Sequence, residues 1–197
     1  MSNDAPIETS RLRLILLSPE ALELLRQGDV EGASTVQGFE FSDDFLLTVN
    51  ESFLTNHLEG VRRRPSTPGW FVRAILRRDD DHLIGHCGFH GTPEDVGRAE
   101  VGYTIFPAYR ERGYAVESVQ GLVDWARTQG SRAVFAAVAP NNLSSLKLLR
   151  KLGFQHTGVQ LNGVDDEEYV FELRVTPETG ATRTGIVRSG AHAPPPA

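Results

Sequence analysis

The sequence predicts an α/β protein of the α+β kind: a mixed, mostly antiparallel central sheet of about seven strands with helices on both faces. Three observations carry that expectation. Short β-rich runs separated by turn residues recur between Trp70 and Phe106, and the apolar period becomes helical after Pro107. A strand-helix-strand crossover, which demands a parallel pair, then sits inside an otherwise antiparallel series.

Taken along the chain, Leu12, Leu14 and Leu16 alternate with Arg11, Arg13 and Ile15 as a strand does, and Ser18-Pro19-Glu20 opens a helix to about Gln27. From Gly28 to Thr48 the mixture of Gly, Ser and aromatic residues has no period. A second helix is expected near Asn50 to Arg63. The runs Trp70 to Arg77 and His82 to His90 read as a hairpin about the turn-forming Asp79-Asp80-Asp81. A third strand, Ala99 to Phe106, pairs beside them and ends at Pro107. Ala115, Val119, Leu122 and Ala126, with Val116 and Val123 alongside, make one helical stripe up to about Gly130. Ala133 to Val138 is a continuously apolar run of the kind a buried strand shows. Asn142 then caps a helix faced by Leu143, Leu146, Leu149 and Leu152, with Lys147, Arg150 and Lys151 toward its negative end and Gly153 as its stop. Two last strands, Phe154 to Gln160 and Glu167 to Val175, flank a turn at Asn162-Gly163. The order is strand, two helices, three strands, helix, strand, helix, two strands.

Bulk properties narrow the function. The 197 residues are 40% apolar and 23% charged, which suits one domain, expected over 1–175, followed by a disordered tail over 176–197 that is rich in Gly, Thr, Pro and Ala. A net charge of −6 argues against a nucleic-acid partner, and Arg62-Arg63-Arg64 reads as a solvated helix end. The lone Cys87 can form no intramolecular disulfide, which points to a reducing, cytoplasmic setting. With neither a signal-peptide pattern nor a window approaching the ~20 apolar residues of a spanning helix, no membrane role is expected.

Chemistry concentrates between the third middle strand and its helix, in Arg110-Glu111-Arg112-Gly113-Tyr114-Ala115. A turn entering a helix exposes unpaired N–H groups at the positive end of the dipole, which favours a phosphate. Gly113 allows close approach, Ala115 keeps the next position small, and Arg110 and Arg112 add charge-assisted contacts. Neither a Walker-type loop nor a Gly-x-Gly-x-x-Gly after a strand is present.

Arg110, Gly113 and Ala115 match the Arg/Gln-x-x-Gly-x-Gly/Ala signature, and Asn142-Leu143-Ser144-Ser145 with Lys151-Leu152-Gly153-Phe154 resembles the second signature block, of the GNAT acetyltransferases. The resemblance covers roughly Thr9 to Val175. Thr9-Ser10-Arg11-Leu12-Arg13-Leu14 and Ala99-Glu100-Val101-Gly102-Tyr103 look like the branch of ribosomal-protein N-terminal alanine acetyltransferases, the Rim type. What the resemblance implies is a GNAT fold and acetyl transfer from acetyl-CoA to a primary amine, of a protein N-terminus or a small molecule, with no metal. It implies coenzyme binding by Arg110, Glu111, Arg112, Gly113, Tyr114 and Ala115. Backbone groups of Thr104, Ile105 and Phe106 would pair with pantetheine or polarise the thioester carbonyl, and Asn142 would contact pantetheine or a water.

An attacking amine with a pKa near ~10.4 must lose its proton, and the resemblance makes Glu100 the base. Ser145 would supply a proton to the departing thiolate. Tyr114 reads as a packing residue. His86 and His90 fall on one strand face; without a third ligand they suggest no metal site, and His90 is the spare base. Acceptor specificity is expected from the N-terminal helices and the Gly91 to Gly97 loop. A homodimer is compatible with the sequence. The alternative function is a catalytically silent acyl-CoA-binding sensor or interaction module.

Overall fold

In a computed structural model of the chain, the described residues are 5–93, 97–162 and 166–175. Part of the Gly91 to Gly97 loop, part of the Asn162-Gly163 turn and all of the expected tail after Val175 lie outside them.

The chain opens with β1 (Ile7–Glu8), β2 (Leu12–Leu16) and four helices, α1 (Pro19–Gln27), α2 (Val30–Gln37), α3 (Asp43–Thr48) and α4 (Glu51–Arg63). There follow β3 (Arg73–Arg77), β4 (Leu83–Phe89), β5 (Arg98–Ile105), α5 (Tyr114–Thr128), β6 (Ala133–Val138), α6 (Leu143–Lys151), β7 (Gln155–Leu161) and β8 (Glu167–Arg174). The α/β architecture is the expected one, with eight strands where about seven were expected. Trp70 belongs to a short 3-10 turn, Pro68–Trp70, and not to the hairpin strand that alternation suggested. The stretch without a period holds α2 and α3. Each has only one buried residue, Ala33 and Phe45, too little for a stripe to stand out.

Caps fix the helix ends. The Ser18 hydroxyl accepts from the Ala21 N–H, Asn50 from Phe53 and Asn142 from Ser145, each satisfying an otherwise orphaned donor. Gly28 closes α1 at φ 83°, in the left-handed region where a Cβ is costly.

The sheet order is β1-β2-β3-β4-β5-β6-β8-β7, antiparallel throughout except for β5 and β6. The last strand in sequence therefore inserts between β6 and β7. One apolar cluster joins α5 and α6 to one side of the sheet through residues such as Val119, Leu122, Leu149, Phe89 and Val134. A second joins α1 to α4 to the opposite side through Leu22, Phe45, Leu58, Ala74 and Phe106. Helices thus cover both faces, as sheet burial requires. Among the described residues no helix is long and apolar enough to cross a membrane.

Candidate active site

Parallel pairing of β5 with β6 stops after three rungs, Arg98 with Ala133, Ala99 with Val134 and Glu100 with Phe135. Beyond Glu100 the strands continue unpaired with one another. This leaves the β6-facing edge of Val101 to Ile105 without its ladder partner, where an extended amide-bearing chain can add.

At the opening lies a cleft of about 750 Å³. Of the candidate coenzyme residues, Thr104, Ile105, Arg110, Glu111, Gly113, Tyr114, Ala115 and Asn142 line it, and so does Ser145. Phe106 and Arg112 do not line it. The Phe106 ring is fully buried in the α1–α4 cluster and its N–H is spent on the Ile84 carbonyl. The Arg112 carbonyl accepts from Arg11, and its guanidinium lies 5.8 Å from the Tyr109 ring. Within the loop Glu111 (φ 61°) and Gly113 (φ 81°) both have left-handed backbones, a geometry that turns successive N–H groups into an anion-binding concavity at the head of α5.

That loop is braced from outside by the Thr9–Arg11 segment. The Glu117 carboxylate in the first turn of α5 accepts from Thr9 Oγ1 (2.7 Å), the Arg11 N–H (2.6 Å) and Arg11 Nε (2.7 Å). Arg11 in turn donates from Nη1 to the Arg112 carbonyl at 3.1 Å and lies 4.6 Å over the Tyr114 ring. Burial alone would raise the Glu117 pKa, yet the hydrogen bonds from Thr9 and Arg11 hold it below the usual carboxylate value.

On the helical side of β4 and β5 is a second cavity, about 280 Å³, walled by Phe53, His57, His86 and His90. Tyr103 and Thr104 line both cavities, so the two meet there. His90 lies along β5: its Nδ1 is 3.6 Å from the Glu100 carboxylate, and its Nε2 is 2.7 Å from where a Cβ on Gly102 would be. Glu100 lines neither cavity and reaches this pocket through His90. His86 and His90 share the pocket wall, as their spacing suggested.

The period-two alternation concealed Tyr103. It falls in step with Ala99, Val101 and Ile105, which are core residues, so it reads as one more core aromatic. Its hydroxyl is buried with no formed hydrogen bond, and burial raises its pKa; the Ser145 side chain is the polar neighbour that opposes this rise. The lone thiol, Cys87, is buried. Burial pushes the Cys87 thiol up to about 12, so it stays protonated and offers no thiolate for an acyl-enzyme route.

A match to the acetyltransferase (GNAT) domain family extends over residues 11–155, taking in Arg11, both cavities and the Arg110 to Ala115 loop. The chain belongs to the GNAT acetyltransferase family. The acetyltransferase is 38% identical over 159 residues to the uncharacterized N-acetyltransferase p20 of Bacillus licheniformis, a match covering 77% of this chain and 83% of that one. Its fold is shared with RimL, a ribosomal L7/L12 alpha-N-protein acetyltransferase (TM-score 0.59, 15% identity, 88% of this chain and 100% of that one). It is shared equally with MccE, the microcin C7 self-immunity acetyltransferase solved with acetyl-CoA and AMP (TM-score 0.58, 15% identity, 84% of this chain and 93% of that one).

Proposed function

We propose that this N-acetyltransferase carries an acetyl group from acetyl-CoA to a primary amine by direct attack of the amine on the thioester. The observation that carries the reading is the meeting of the two cavities at Tyr103 and Thr104, one with a phosphate-type loop at its far end and the other with a carboxylate-backed imidazole. The pyrophosphate would bind the N–H groups of the Arg110 to Ala115 loop, and pantetheine would add to the open edge of β5. Acetyl-CoA supplies the activated acyl group; the chain positions it and moves protons.

His90, oriented by Glu100, takes the proton that the amine must lose, and Glu100 can take it only through a bridging water. Tyr103, with Ser145 beside it, returns a proton to the thiolate. A phenol kept protonated by burial is already in the form a donor needs. Phe106, with its N–H spent on the Ile84 carbonyl, has no support in these roles, and Arg112 could serve only through its backbone N–H. The branch assignment, protein N-terminal acetylation of the Rim type, rests on Thr9 to Leu14 and on Ala99 to Tyr103. The fold shared with RimL carries no acceptor.

Gly113→Val tests the coenzyme site. At φ 81° a β-branched residue is strained and covers the N–H groups that would face the pyrophosphate. The expected result is a folded protein, by thermal melt, with no measurable acetyl-CoA binding by calorimetry. Unaltered affinity would remove the phosphate-loop assignment.

A further inference from the structure

We propose that the second cavity accepts a primary monoamine on an uncharged aromatic body of about one ring, carrying one hydroxyl-like group, in preference to a polyamine or an aminoglycoside. The inference deepens the acetyl-transfer reading and rests on it. Size is the first constraint. At about 280 Å³ the pocket falls just below the ~300–1,000 Å³ of sites for drug-sized ligands. A single ring with a short chain fits it; a linked set of amino sugars does not.

Charge is the second constraint. Among the described residues the lining contains no Asp, Glu, Lys or Arg side chain; its polar groups are imidazoles, hydroxyls, a thiol and backbone. Burial, reinforced by repulsion from His90 and His86, lowers His57 to about 3, and burial lowers His86 to about 4. Both imidazoles are therefore neutral at physiological pH. A second ammonium entering with the acceptor would be stripped of water between neutral walls, with no carboxylate to compensate it. Glu100, whose carboxylate is 3.6 Å from His90 Nδ1, lies behind that ring and does not line the cavity. One amine, the one that is deprotonated and acetylated, is what the site can manage.

The walls supply the third constraint. Phe53 meets His57 edge-on at 4.5 Å between ring centroids and His86 at 5.1 Å, and His57 lies 6.2 Å from His90. These rings present faces and edges suited to another ring. His86 Nε2 is buried with no hydrogen-bond partner in a side chain that is only 6% exposed. An orphaned buried nitrogen is costly unless something bonds it, and a ligand hydroxyl, which both donates and accepts, satisfies it in either tautomer. Phe45 backs the same ring at 5.7 Å and holds it in place.

The test is a set of steady-state thiol-release measurements with acetyl-CoA and four acceptors: tyramine, phenethylamine, spermidine and kanamycin. The expected kcat/KM for tyramine exceeds those for spermidine and kanamycin by roughly 10-fold or more, with phenethylamine between. In His86→Leu, checked for folding by thermal melt, the advantage of tyramine over phenethylamine should disappear while phenethylamine turnover persists. The four wild-type rates stand as a test even where that variant fails to fold. Preference for spermidine or kanamycin overturns the proposal. Turnover of none of the four by a protein that binds acetyl-CoA in calorimetry overturns it as well and leaves the coenzyme site standing. Failure of the wild type to bind acetyl-CoA overturns the coenzyme reading and this proposal with it.

Discussion

Along β5 alternate residues serve different ends. Ala99, Val101 and Ile105 enter the core beneath α5, whereas Glu100 and Gly102 lie under His90. The strand thus sets a carboxylate beside His90 without exposing it to the cleft at the head of α5. Glu100→Gln keeps the size and removes the charge, so turnover at neutral pH should fall by roughly 10²–10⁴-fold with coenzyme affinity retained. The loss should shrink at high pH, where the amine deprotonates unaided. Because the pair acts as a unit, adding His90→Ala to Glu100→Gln should cost little more, which a double-mutant cycle of rates across pH reads directly. Additive losses would show that Glu100 and His90 act independently, and near-wild-type turnover of Glu100→Gln with chemistry rate-limiting would make Glu100 structural. Tyr103→Phe should lower turnover by about 10²-fold and leave acetyl-CoA binding unchanged; an unaffected rate would hand the proton-donor role to Ser145 alone.

Elements were legible where local chemistry announces them. Ser18-Pro19-Glu20 and Asn142 with Gly153 mark helix ends through donors that must be satisfied, and these ends are observed. The helices α2 and α3 carry no apolar stripe, since each buries only one residue, Ala33 and Phe45. The brace on the Arg110 to Ala115 loop was equally hidden, for nothing local ties Thr9 and Arg11 to a carboxylate on α5 more than a hundred positions away. Glu117→Gln should release Arg11 from the loop and raise the KM for acetyl-CoA by about fivefold at constant kcat, the scale of a half-exposed ion pair. A change in kcat with KM fixed would contradict a positioning role.

The α4 histidine adds a pH term. With His57 held at about 3 and His86 at about 4, the unfolded chain binds protons below its ordinary histidine value of ~6.5 that the folded chain refuses. Stability is therefore full above about pH 6.5 and declines as pH falls toward 4, by up to ~1.4 kcal/mol per pH unit for each histidine. Melting temperatures recorded from pH 7.5 to 5 should show this fall, and His57→Phe should roughly halve its slope. An unchanged slope would mean that His57 is protonated in the folded protein.

For the whole molecule, one feature resisted sequence reading: the insertion of β8 between β6 and β7. It depends on pairings across long separations, which local periods do not encode. The fold class itself followed from the change of period after Pro107. Val175 is the last described core residue, 1% exposed, with its N–H bonded to the Arg132 carbonyl. A chain ending at Val175 should accordingly melt within a degree or two of the full-length protein and bind acetyl-CoA equally well. A large drop in either would assign a folded role to 176–197.

The three rungs between β5 and β6 have a mechanical meaning. Among the described residues they are the sole ladder joining the β1–β5 half of the sheet to the β6–β8–β7 half, and they lie at one end of it, like the pivot of a pair of shears. Past the pivot each blade presents backbone that a ninth strand would ordinarily cover. An extended ligand lying there would do more than occupy a groove: it would bridge the blades and complete the sheet, so that the protein is most nearly whole only while it holds the molecule it is about to spend.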